Sequence, residues 1–250
     1  MNISKVRDLT LIDISDDKII VIACDSCGSI GLKEKDELKV SPFFVASFTS
    51  RVVIMEVMAA AAEIVTLTNA VCCEMEPTGN EMIKGIKKEL SAAHINDIVL
   101  TGSTEENFRT FTTAVGITAV GIAEKKKLKI NNIKHACKII SVGIPKVGAD
   151  IQLENDNDIV GYDDLKYLLK CSNVYEIVPV GSKGILFEAE LLAKNNGLRL
   201  AMKNDIGIDV RKTCGPATVI IAAVDESAID NIKLHIDNVN IICDLIKEKH

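Results

Sequence analysis

Five consecutive aliphatic residues, Ile19-Ile20-Val21-Ile22-Ala23, stand between Asp16-Asp17 and Cys24-Asp25-Ser26-Cys27-Gly28. A run so short and so β-branched reads as a buried strand, and it feeds a glycine-bearing loop. The pattern returns at residues 97–100, 139–144, 175–180 and 217–224, and in a longer form at 114–123, where Gly116 and Gly121 interrupt an apolar strand. Segments of helical period lie between these runs. In 51–67, Val52, Val53, Met55, Met58, Ala59 and Ala62 recur at helical spacing, and 81–93 is amphipathic. Further helices are predicted at 163–169, at 185–195 with Asn196-Gly197 as a C-cap, and at 229–235, before a closing segment at 241–247. Strands alternating with helices predict an α/β chain. With no Trp and only 4% aromatic residues, its core has to be aliphatic, as buried strands and helices require.

The stretch 124–134 is polar and lysine-rich, which places a domain border there: residues 1–132 form one domain and 133–250 a second. A net charge of -6 argues against a nucleic-acid partner. The N-terminus has no apolar signal core and no apolar run reaches bilayer length, so a cytoplasmic chain with no membrane partner is expected. Its eight cysteines are then reduced thiols.

Several chemistries leave no trace. There is no G-x-x-x-x-G-K-[ST] loop, no G-x-G-x-x-G, no G-x-S-x-G and no H-E-x-x-H, and the four histidines are scattered. What remains is three oxygen-rich loops at strand ends: residues 24–31, 74–79 and 101–107. Such donors suit magnesium, and the glycines beside them let backbone approach a phosphate, although acidic loops also simply face solvent. Cys24-x-x-Cys27 reads either as a redox dithiol or as thiols flanking Asp25. Gly28 and Gly31 disfavour the helix a dithiol would open, and no second C-x-x-C completes a zinc site.

The order of these motifs resembles the aminoimidazole ribonucleotide synthetase superfamily, which includes thiamine-monophosphate kinase, selenophosphate synthetase and hydrogenase maturation protein E. Residues 23–28 match its T-D-x-x-x-G strand end. Met55-Glu56 before Ala59–Ala62 matches its helical N-D or S-D pair, and Thr101-Gly102-Ser103-Thr104 matches its G-G-[DE]-T. Ser103 departs from that pattern, standing where the family has an acidic metal ligand, with Glu105 and Glu106 following. The phrases ACDSCGSIG, EMEPTG, GSTEENF, EIVPVGSKGI and CGPAT are similar to α-ribazole kinases, which phosphorylate the 5′-hydroxyl of α-ribazole for cobalamin salvage.

The resemblance implies a two-domain architecture: an N-terminal mixed sheet with helices that forms a barrel on homodimerisation, and a shortened C-terminal α/β sandwich. It implies ATP held by Asp25, Ser26, Gly28, Gly102, Ser103, Thr104, Glu105 and Asn107. Magnesium is expected on Asp25, Glu56, Glu105 and Glu106, and a nucleoside-like substrate at Glu76, Gly181, Ser182, Lys183 and Gly184. Asp25, Glu105 and Lys183 would carry catalysis. A thiamine-monophosphate kinase-like enzyme and a nucleotide-binding protein without turnover are the alternatives.

Overall fold

A computed structural model describes residues 2–203 and 205–247. The chain divides into two units, Met1–Met58 with Ala62–Lys127 and Ala59–Ala61 with Leu128–His250, so the border expected after residue 132 falls inside the second.

The first unit is built on strands β1 (Ile3–Val6), β2 (Leu9–Asp13), β3 (Lys18–Gly28), β6 (Glu63–Val71), β7 (Val99–Thr104) and β8 (Ala114–Glu124). They form one mixed sheet in the order β1-β2-β3-β8-β6-β7, antiparallel except for β6 beside β7. A small parallel pair, β4 (Ile30–Gly31) and β5 (Leu38–Lys39), follows β3. Side chains alternate along the central strands. Leu9, Leu11, Val21, Ala23, Ile117 and Ala119 are buried, whereas Thr10, Ile12, Ile20, Ile22, Val120 and Ile122 on the other face are only half-buried.

Helix α1 (Pro42–Ala59) lies on the buried face, where a Cβ at Gly121 would stand 2.5 Å from the Val57 side chain. Helix α2 (Asn80–Ala92) packs against α1 so closely that a Cβ at Gly85 would stand 2.0 Å from the Phe43 carbonyl. Among the described residues, α1 alone has the length and hydropathy to cross a bilayer, which corrects the expectation that no segment did. The helix is 72% buried within the fold, as a core helix is.

The helix predicted at 51–67 is likewise shifted. Ser41 accepts a hydrogen bond from the Phe43 N–H and Pro42 takes the first turn, so α1 starts nine residues early (42 against 51). It stops before Ala61 (φ +61°), and Ile64-Val65-Thr66 enters β6. With Ser47, Thr49, Ser50 and Arg51 buried beside its apolar residues, α1 shows no exposed polar stripe that could mark its ends.

The second unit pairs β10 (Val174–Pro179), β12 (Ile220–Val224), β9 (Cys137–Val142), β13 (Val239–Lys247) and β11 (Leu198–Met202), in that order and all antiparallel. Helices α3 (Tyr162–Lys170), α4 (Gly184–Asn195) and α5 (Ile229–His235) complete it. Val178, Ile185, Ala189, Leu192, Ile221, Ile242 and Leu245 share the core under α4. Strands β1, β2 and β11 carry no clear sequence signal. Both units are mixed α/β, as expected.

Candidate functional site

Asp25, Ser26 and Gly28 do not lie in a loop. Strand β3 runs on through Gly28, with Asp25 opposite Ile117, Ser26 opposite Gly116 and Gly28 opposite Ala114. The apolar run ends at Ala23, but ladder pairing with β8 does not. The pleat turns Asp25 toward the α1 face, and Ser26 and Gly28 to the other. Burial pushes the Asp25 carboxyl above its ordinary range, and the Asp8 carboxylate adds to this against a hydrogen bond from the Ser26 backbone. Burial likewise raises the Cys27 thiol, with the Asp25 carboxylate adding to it, against a hydrogen bond with Thr49.

The same pleat bears on the thiol pair. Cys24 and Cys27 point to opposite faces of an extended strand, with Cα atoms about 10 Å apart, beyond the reach of a disulfide.

Past the end of β3, three loops converge. Asp36, 5% exposed, accepts hydrogen bonds from the Thr113 N–H (2.7 Å), the Thr113 hydroxyl (2.6 Å) and the Lys33 N–H (2.8 Å). Burial raises its carboxyl, but these bonds hold it below the usual range. Lys33 Nζ meets Glu74 Oε2 at 2.6 Å, and the Thr78 hydroxyl donates to Glu74 Oε1. Despite burial, the Glu74 carboxyl is therefore also lowered.

Glu106 Oε1 accepts from the Met75 N–H (2.8 Å) and from the Thr104 hydroxyl (2.7 Å), fastening loop 104–113 to the turn Met75–Gly79. Glu105 Oε1 takes the N–H groups of Asn107 and Phe108, closing its own turn. Gly102, Ser103 and Thr104 are strand residues on the edge of the sheet, paired with Asn69, Ala70 and Val71. Glu76 is exposed and accepts from Asn80 at 3.4 Å. Glu56 is half-buried on α1.

Of the residues that hold these loops together, the sequence marks Glu74 only as part of the oxygen-rich loop 74–79 and does not mark Lys33, Asp36 and Thr113. Their signal was faint, because Lys33-Glu34-Lys35-Asp36 reads as an ordinary solvated turn.

The second unit brings together two segments far apart in the chain. Gly181 O accepts from the Cys214 N–H at 3.2 Å, and Gly184 (φ +81°) sits so close to the chain that a Cβ would stand 2.8 Å from Lys212 O. Ser182 and Lys183 are exposed on this loop, with Lys183 Nζ 4.3 Å above the Phe187 ring. A separate cleft of about 300 Å³ is lined by Gly143, Asp158, Asp164, His235 and Asp237, none of them expected from the sequence.

Among the described residues, no group of three His, Cys, Asp or Glu side chains is gathered to hold a metal. This does not conflict with the donor set. Magnesium that arrives on a nucleotide keeps its waters and phosphate oxygens and takes one or two carboxylates from the protein. Asp25 is half-buried, and Oε2 of Glu105 and of Glu106 accepts no hydrogen bond among the described residues. Carboxylates with hard oxygen donors fit that ion.

No protein-family model and no curated protein matches the sequence. Solved structures share its fold. Thermotoga maritima PurL complexed with ATP superposes with a TM-score of 0.68 at 13% identity over 95% of this chain, which spans 42% of the PurL chain. AaThiL complexed with AMPPCP and TMP gives 0.67 at 12% identity, over 98% of this chain and 87% of that one. Thiamine-monophosphate kinase from Stenotrophomonas maltophilia K279a gives 0.63 at 13% identity, covering 99% and 89%. The fold is PurM-like.

Proposed function

We propose that this protein is a cytoplasmic, ATP- and magnesium-dependent phosphotransferase acting on the primary hydroxyl of a small nucleoside-like molecule. The acceptor we assign is the 5′-hydroxyl of α-ribazole. The observation that carries the reading is the fastening of the loops around Lys33, Glu74 and Glu106 beside the end of β3, within a fold shared almost end to end with AaThiL complexed with AMPPCP and TMP. The acceptor rests on the motif wording alone.

One or two of the carboxylates of Asp25, Glu56, Glu105 and Glu106 would hold the metal. When bound, magnesium neutralises charge on the transferred phosphoryl group. Glu106 holds the backbone of Met75, and Glu105 shapes the turn to Phe108, so both keep the loops in register for the reactants. Gly102, Ser103, Thr104 and Asn107 border the phosphates, as do Ser26 and Gly28. In the second unit, the loop of Gly181, Ser182, Lys183 and Gly184 is assigned to the acceptor. A primary hydroxyl needs alignment more than activation, so positioning dominates.

The protein works as a homodimer in this reading. The half-buried face bearing Ile12, Ile20, Ile22, Val120 and Ile122 is an apolar sheet surface that a second copy would cover.

Purified protein incubated with magnesium, ATP and α-ribazole should release ADP and phosphorylated α-ribazole. Release of ADP with thiamine monophosphate or another nucleoside, and none with α-ribazole, would remove the acceptor assignment. A second reading, nucleotide binding without turnover, is favoured by Ser103 standing where an acidic ligand is expected. It predicts ATP binding and no ADP with any acceptor.

A further inference from the structure

Loop 104–113 holds an aromatic ring out in water. Phe108 is 78% exposed, and among the described residues its ring meets no other ring and no cation. The chain has no Trp and only six Phe, three of which (Phe43, Phe44 and Phe48) lie in α1. Leaving another in water forgoes the burial that a large apolar side chain offers a fold. A loose loop does not account for this. Glu106 fastens the loop to the Met75 N–H, the Lys35 N–H donates to Phe111 O at 2.9 Å, and Asp36 holds Thr113.

The ring's position and its neighbours identify what it meets. The Phe108 N–H donates to Glu105 Oε1 at 3.1 Å, so the residue is fixed directly to a carboxylate of the candidate metal and phosphate site. Nearby Phe111 is already engaged by cations, with Lys35 Nζ 5.3 Å and Arg109 Cζ 5.0 Å from its ring centre. Arg109 also reaches Glu34, at 3.8 Å. Positive charge beside an open aromatic face suits a flat ring that arrives with phosphates. Bases of any identity stack on such a face.

We propose that Phe108 is the stacking platform for the base of the nucleotide bound at this site. The assignment rests on the ATP reading above and deepens it. Glu105 and Glu106 pin the loop and face the charged end of the nucleotide, and the ring on the same loop takes its base.

Thermal melting and calorimetric titration of wild type, Phe108→Ala and Phe108→Tyr test it, with magnesium ATP, magnesium tripolyphosphate and α-ribazole as ligands. Ligand-free Phe108→Ala is expected to melt with wild type, because the ring it removes is mostly in water. It should bind ATP about 10- to 100-fold more weakly and tripolyphosphate, which has no base, as wild type does. Phe108→Tyr should keep the wild-type affinity for ATP. Unchanged ATP affinity in Phe108→Ala overturns the proposal and leaves the ATP reading standing. Equal losses for ATP and tripolyphosphate, or a markedly lower melting temperature, also overturn it, since Phe108 then only shapes the loop. So does a loss confined to α-ribazole, since the ring then serves the acceptor. If wild type binds ATP through Phe108 but releases ADP with no acceptor, the platform stands and the phosphotransferase reading falls. If wild type binds neither ATP nor tripolyphosphate, both fall.

Discussion

Lys33 Nζ and Glu74 Oε2 meet at 2.6 Å across 41 residues of chain, tying the loop after β4 to the turn that leads into α2. Both side chains are largely buried, so the pair is screened less than a surface ion pair, and it contributes about 1 kcal/mol. Lys33→Met should lower stability to urea by roughly that amount. The Glu74 carboxyl is held below its ordinary 4.5 in the folded chain, so its contribution is complete above that pH and is lost as pH falls through the lowered value. The gap between wild type and Lys33→Met should thus persist at pH 7 and close in acid. A gap independent of pH would mean that the stabilisation comes from packing of the lysine stem.

Asp36 is the more deeply buried anchor. Removing its carboxylate strands the N–H and hydroxyl of Thr113 and the N–H of Lys33. Asp36→Ala should cost about 3 kcal/mol. Hydrogen exchange should show faster opening confined to residues 29–39 and 104–113. Global unfolding without that local signature would contradict the loop-anchoring role.

Much of this framework was legible in the sequence, and the reasons for the failures are physical. Amphipathic α2 and the strongly branched β8 and β12 announced themselves because one face, or the whole element, is buried at a fixed period. Helix α1 was misplaced because it is buried all round, and a helix without an exposed polar stripe has no readable start. Residues 24–28 look like a loop by composition, yet β8 supplies a partner for each of them. Polarity at a strand end shows where the core stops, and pairing can continue beyond it. The loop anchors were hidden for another reason: an ion pair spanning 41 residues and hydrogen bonds spanning 77 leave no local pattern.

Asp25 sets stability against function. Its carboxyl is raised by burial, so the charged form is destabilising and stability falls as pH rises from 3.8 through the raised value. Asp25→Asn should therefore melt at a higher temperature than wild type at pH 7, and at nearly the same temperature in acid. The same variant should lose magnesium-dependent ATP binding. Tight, magnesium-dependent binding retained in Asp25→Asn would take Asp25 out of the metal site.

Cys24→Ser with Cys27→Ser distinguishes phosphoryl transfer from thiol chemistry. The two sulfurs point to opposite faces of β3, so no intramolecular disulfide can form between them without disrupting the strand. Phosphotransfer in the double variant should stay within a few-fold of wild type. Abolished turnover with intact ATP binding would return the thiols to the mechanism.

The half-buried face of the first sheet leads to the last expectation. Ile22 and Val120 are paired on β3 and β8, and Ile20 and Ile122 form the adjacent pair, so four aliphatic side chains make a continuous patch at the centre of the sheet. A charge placed there is tolerated by a monomer facing water and is not tolerated in an apolar interface. Val120→Glu should leave the melting of an isolated chain within about 1 kcal/mol of wild type, as surface substitutions do. In light scattering after size exclusion, it should convert a wild-type dimer into a monomer. A wild-type protein that runs as a monomer at every concentration would remove the dimer from the reading, and the patch would need another occupant.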